Sequence, residues 1–227
     1  MNQLIEEFIE TLRNTYVEAR KAKSFFGVSN ESEVLRGGSR SISADTEDMV
    51  ACLLVRLLEQ QGIKDIVVFT NQPVKTSGNP RYPDIVVCRE TKRTQLYKKA
   101  NCPEYECLYM IDVKTDMGWF RNCLQDIIDD HANIDFQSGF VNNGILADGT
   151  KRKVYFNTEN CKAYDIVILS TGNGGNINHN SQPRCSCFFL TNGEHPNEYK
   201  NIDVKEIKPC QFDEFFQRVI ACLKGDN

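Results

Sequence analysis

The sequence has no apolar run approaching the 18 or so residues that span a bilayer, so a membrane-embedded protein is not expected. It has no Gly-x-Ser-x-Gly elbow and no Walker-type phosphate loop. That removes the usual signatures of a serine hydrolase and of a P-loop NTPase. Histidine is scarce: His131, His179 and His195 are scattered, without the helical spacing of a metal-binding pair. A basic excess is missing too. The net charge of −4 argues against a protein that coats nucleic acid nonspecifically. Met1 to Arg20 lacks the basic start and unbroken apolar stretch of a secretory leader, because Glu6, Glu7 and Glu10 interrupt it. The expected location is the cytoplasm. There is no internal repeat and no low-complexity tract.

What remains is an ordinary globular balance. Hydrophobic residues make up 41% of the 227 residues and charged residues 26%, enough for one domain over 1–227 with a substantial core. The ten cysteines are the compositional surplus. In a reducing compartment they need not pair, and Cys52 and Cys88 lie inside apolar runs where a thiol acts as a small hydrophobe. Cys102-x4-Cys107 and Cys185-x-Cys187 could form a four-thiolate zinc site, although their spacing departs from the usual knuckle.

Leu4, Ile5, Phe8, Ile9, Leu12 and Tyr16 recur at helical spacing and predict an amphipathic helix over about 2–24. After the Gly37–Ser43 loop a second helix is expected over about 44–61, capped by Ser43 or Asp45 and ended by Gly62. Three β-rich runs follow at 65–70, 84–88 and 107–114, then a helix at about 119–131. Residues 132–163 carry no clear period. Strands are expected at 164–170 and 187–190, and a last helix at about 212–223. Near-continuous apolar strands imply a sheet covered on both faces. The fold class read from this order is α/β, a three-layer α/β/α sandwich around a mixed β-sheet.

Strand alternation places Asp112 and Lys114 on one face, with Ile111 and Val113 on the other. An acid and a lysine at the end of a buried strand are costly unless paired with each other or bound to something. A structural ion pair is the plain alternative. Asp84 opens the strand at 84–88 directly after Pro83; if that strand neighbours 107–114, the two carboxylates can reach one cation. Glu47 falls on the apolar stripe of the second helix with Val50, Leu54 and Leu58, where it either favours the helix dipole or leans over the sheet toward the same site.

Pro83-Asp84 followed by Asp112-Val113-Lys114, after a helix carrying an acid, resembles the signature of the PD-(D/E)xK (restriction-endonuclease-like) nucleases. Residues 44–170 carry the resemblance, leaving the helix at 2–24 and the segment 183–224 as additions for dimerisation or DNA recognition. The resemblance implies a Mg2+-dependent endonuclease of double-stranded DNA, most like a type II restriction enzyme and acting as a homodimer. Asp84 and Asp112 would hold Mg2+, Lys114 would position the attacking water and neutralise charge, and Glu47 would be an auxiliary ligand, direct or through water. Basic residues near these strands, Arg40, Arg81, Lys92, Arg93, Lys98 and Lys99, would be the phosphate contacts. Asp116 and Trp119, just past the motif, would touch DNA if they line the site mouth, or else cap a helix and fill the core. Asn178, in an Asn-rich loop, could reach base edges. Two rivals stand beside this reading: a structure-specific or repair nuclease with the same chemistry, and a non-catalytic interaction domain whose acids only cap and pair.

Overall fold

Along β2 (Ile85–Glu90), Ile85 and Val87 turn to one side of the sheet while Val86 and Cys88 turn to the other, and all four are fully buried. In β6 (Ala163–Ser170) Val167 and Leu169 alternate with Ile166 and Ile168 in the same way. Such two-sided burial needs cover on both faces. The computed structural model of the chain, which describes residues 2–20, 42–90, 102–119, 123–145, 151–172, 177–192 and 201–224, shows where that cover comes from. One face is packed by α1 (Asn2–Arg20), α2 (Ser43–Gln60) and α4 (Phe212–Lys224). On the other face α3 (Leu124–Ala132) sets Leu124 and Ile128 against Ile166 and Ile168. The chain is therefore a mixed α/β protein with seven strands in one sheet and four α-helices among the described residues.

The sheet pivots on β3 (Glu104–Lys114). β1 (Ile66–Thr70) pairs antiparallel with β2, and β2 antiparallel with β3. The chain then crosses through α3 and returns in β6, parallel to the second half of β3 from Tyr109 to Lys114. β7 (Cys187–Thr191) adds parallel to β6. The first turns of β3, Glu104 to Glu106, pair instead with β5 (Lys151–Asn157), whose antiparallel partner is β4 (Gly139–Ile145). β3 thus forks, with one half in each branch.

Several expectations change here. The segment 132–163 holds the antiparallel pair β4 and β5, so two strands intervene between α3 and β6. The helix expected from 119 begins at Leu124 and is preceded by a 3-10 turn at Met117–Trp119. Neither Ser43 nor Asp45 is the N-cap of α2: the cap position falls on Ile42, while Thr46 Oγ1 donates to the Ile42 and Ser43 carbonyls at 3.0 and 2.8 Å. Gly62 does end α2, at φ 68°, with Ile63 N donating to Leu58 O at 2.9 Å and Gly62 N to Glu59 O at 3.0 Å, the two bonds of a Schellman turn. Finally, α1 and α4 are parts of the core. Phe8, Leu12, Phe212, Phe215 and Phe216 are buried together, with Phe8 and Phe212 edge-to-face at 5.7 Å. Their apolar faces are packed within the chain. Among the described residues no helix is long and apolar enough to cross a membrane.

Candidate active site

The register Ile85↔Ile111 between β2 and β3 sets Asp84 beside Asp112 across adjacent strands. Asp84 itself lies one residue before β2, with Pro83 buried behind it and its carbonyl taking a hydrogen bond from Asn71 N at 2.9 Å. Its Oδ2 accepts the Val113 amide at 2.7 Å, which fixes the carboxylate against β3. Lys114, two residues past Asp112 on the same strand face, closes the group: its Nζ donates to Asp112 Oδ1 at 2.6 Å and to Asp84 Oδ2 at 3.4 Å. The side chains of Asp84, Asp112 and Lys114 keep 16%, 14% and 26% of their surface exposed. They are partly desolvated and still reachable. Tyr16 OH donates to Thr115 O at 2.7 Å, tying α1 to the chain just past the motif.

Burial is the main cause that pushes Asp84 up to about 7, and the hydrogen-bonded, like-charged Asp112 adds to it. Lys114 and the Val113 amide pull the other way and do not win. Lys114 itself is lowered by burial, but its two carboxylate partners outweigh that and hold it above the ordinary lysine value. At neutral pH it is a charged donor and not a base. Glu47, buried near the start of α2, is raised by burial and by the charge of Asp84. The group is therefore short of positive charge, a deficit that a divalent cation would relieve. Two carboxylates are what a Mg2+ site commonly draws from protein, the rest coming from water and substrate. No group of three or more His, Cys, Asp or Glu side chains among the described residues stands at metal-holding spacing. Glu47 feels the charges of Asp84 and Lys114 from the start of α2.

A pH effect follows from Asp84. In an unfolded chain an aspartate titrates near 3.9; here it titrates near 7. A raised carboxyl contributes stability below the unfolded value and loses it as pH rises through the folded one. Metal-free protein should lose a few kcal/mol of stability from this group between roughly pH 4 and 7. Asp84→Asn should therefore be more stable than wild type at pH 8 in EDTA, with no advantage at pH 4, as read by urea unfolding. His131, which burial lowers to about 4, has the opposite slope; the Asp84 charge is the last of its causes, so Asp84→Asn changes the His131 contribution only as a minor part of the difference. Equal stability at both pH values would contradict the burial cost assigned to the Asp84 charge.

The other expected contacts are spread unevenly. Arg40, Lys92, Arg93, Lys98 and Lys99 lie outside the described residues. Arg81 is near the site and exposed, with Nη2 on Asp130 Oδ2 at 2.8 Å and Oδ1 at 3.1 Å. Asp116 Oδ1 accepts Gly118 N at 2.6 Å, so it caps the 3-10 turn that Trp119 closes; the Trp119 side chain is outside the described part of the structure. Asn178 is exposed, on the segment that hydrogen-bonds α3 through Asn180 N and Gln125 Oε1 at 2.8 Å. The four cysteines considered for zinc are apart: Cys107 packs beside Cys88 at 3.6 Å in one core cluster, Cys185 and Cys187 lie in another beside α3, and Cys102 Sγ donates to Lys153 O at 2.7 Å.

Two neighbours of the acids were not singled out by the sequence. Tyr164, the second residue of β6, pairs with Met110 and so shares the face of Asp112. His131, at the end of α3, stacks on it with ring centroids 4.1 Å apart. The charges of Asp84 and Asp112 raise Tyr164 beyond what burial alone does. A polar aromatic at the entry of a buried strand was the available signal. No protein-family model matches the chain, and no similar protein was found among the curated proteins.

Proposed function

We propose that this chain is a Mg2+-dependent endonuclease that hydrolyses phosphodiester bonds in double-stranded DNA, with a core like that of the PD-(D/E)xK (restriction-endonuclease-like) enzymes. The observation that carries the reading is Asp84 held beside Asp112 by the β2–β3 register, with Lys114 bridging both at an accessible sheet end. The order α2, β1, β2, β3, α3 supports it, although β4 and β5 intervene before β6.

In this reading Asp84 and Asp112 would hold the ion. A bound Mg2+ supplies Lewis-acid polarisation of a phosphoryl oxygen and a more acidic water. The chain's own part is preorganisation. The Val113 amide locks Asp84 in place, and both carboxylates orient the Lys114 ammonium. Lys114 is charged in advance and aims a donor at negative charge developing on the phosphate, with little reorganisation needed. Glu47 would order a water at the rim of the pair.

Digestion of a mixed-sequence plasmid with purified protein, with Mg2+ or with EDTA, tests the reading and sorts its finer forms. Discrete fragments with Mg2+ alone would support a sequence-specific, restriction-type enzyme. A homodimer would then be expected, because two-fold sites are read by two-fold proteins. Cuts confined to ends, flaps or nicks would support the repair-type reading. No cleavage with any divalent ion or DNA form would overturn the nuclease and leave a non-catalytic interaction domain.

A further inference from the structure

Tyr82 is 61% exposed, one of only a few large hydrophobic side chains among the described residues left in solvent. It stands two residues before Asp84, between exposed Arg81 and buried Pro83. A lone exposed aromatic is ordinary on a protein surface; this one sits on backbone that is held on both sides. Arg81 N donates to Val74 O at 3.0 Å, Val74 N donates to Arg81 O at 2.7 Å, and Asn71 N donates to Asp84 O at 2.9 Å. Proline between them fixes one more backbone angle. The Tyr82 backbone is therefore fixed two residues before Asp84. The neighbouring Arg81 lines a polar cavity of about 510 Å3 together with Thr76, Ser77, Asn79, Asp130 and Asn133. That volume lies in the range of small-ligand sites, room enough for one nucleotide. The Arg81 side chain is held by the exposed ion pair to Asp130, which is weak enough to exchange for a phosphate.

We propose that Tyr82 is a stacking platform for an unpaired base next to the phosphodiester held at Asp84 and Asp112, with Arg81 as its phosphate contact. The substrate is then DNA with an unpaired segment at or beside the cut. The inference rests on the nuclease reading for the identity of the bound phosphodiester. In an intact duplex each base is already covered by its neighbours and offers Tyr82 no free face. An unpaired base does, and aromatic stacking on it is tolerant of sequence.

The test is fluorescence anisotropy of the whole chain with two labelled probes, a blunt duplex and the same duplex carrying an unpaired tail. It is run in EDTA and again with Ca2+ to read binding without turnover. Wild type should prefer the tailed probe by roughly tenfold or more. Tyr82→Ala should bring the ratio of the two Kd values close to one, while Tyr82→Trp keeps it, and thermal melting should show all three folded. A wild type that binds both probes equally, or neither, overturns the proposal, as does a preference that survives in Tyr82→Ala. Cleavage of the same probes with Mg2+ separates the two readings. A Tyr82-dependent preference without any cleavage keeps the stacking site and sinks the nuclease. Cleavage by wild type and Tyr82→Ala at equal rates on the two probes does the reverse.

Discussion

Lys114→Ala should lower the rate of DNA cleavage by roughly 10²- to 10³-fold, the usual cost of removing one preorganised donor from a site of developing negative charge. Lys114 bonds both acids and is raised by them, so its charge is present before substrate arrives. Its removal also strips the counter-charge from two adjoining carboxylates. The variant should therefore melt lower than wild type at pH 8 in EDTA, and added Mg2+ should recover more of the difference than it does in wild type. Lys114→Arg should not restore full activity, because a planar guanidinium cannot reproduce a compact ammonium between two carboxylates. Single-turnover cleavage of a labelled duplex reads the first effect. A rate within a few-fold of wild type would remove Lys114 from the chemistry.

The largest stability effect belongs to a residue away from the site. Asp165 is wholly buried in β6 and accepts from Tyr109 OH at 2.7 Å, from Ser186 N at 2.7 Å and from Arg218 Nε at 3.2 Å. Arg218, on α4, also donates to Pro183 O at 2.9 Å. The network fastens α4 and the chain entering β7 to the centre of the sheet. Burial raises the Asp165 carboxyl, and Arg218 with the other donors opposes that. Asp165→Ala leaves a phenol, an amide and a guanidinium without their acceptor, and breaking such a pair costs about 3–5 kcal/mol. Asp165→Asn keeps an acceptor oxygen and should cost less, and a larger loss for Asn than for Ala would contradict this account. Urea midpoints measure both. The Asp165→Ala protein that remains folded at low temperature should still cleave DNA, since none of its contacts touch Asp84, Asp112 or Lys114.

Why some elements can be read from sequence and others not is clear from particular segments. β2 and β6 are β-branched and apolar on both faces, so their runs stand out without knowledge of their partners. β4 is Gly139-Phe-Val-Asn-Asn-Gly-Ile145, poor in strand formers. It holds because β5 pairs with it and with β3, and because Tyr105, Phe156 and Phe69 pack together at 4.8 to 6.2 Å. That is tertiary support, which no local window contains. The fork in β3 depends on partners far away in the chain and is equally hidden. In the site, Asp112 and Lys114 were legible because alternation alone puts residues two apart on one face. Asp84 needed the register, which the long interval through 91–101 obscures. Asp116 was ambiguous as sequence, and its bond to Gly118 N shows the capping that a local window could only suggest. His131 and Tyr164 meet only when α3 folds over β6.

The account stands most directly on Asp112. Wild type and Asp112→Ala should be compared on one DNA substrate with Mg2+, and by urea unfolding in EDTA at pH 8. The expected result is cleavage by wild type alone, with the variant folded and at least as stable, because Lys114 keeps Asp84 as its partner and a like charge is gone. Equal cleavage by both proteins, or a variant whose only defect is lost stability, would show that Asp112 serves the fold and not a metal-dependent reaction.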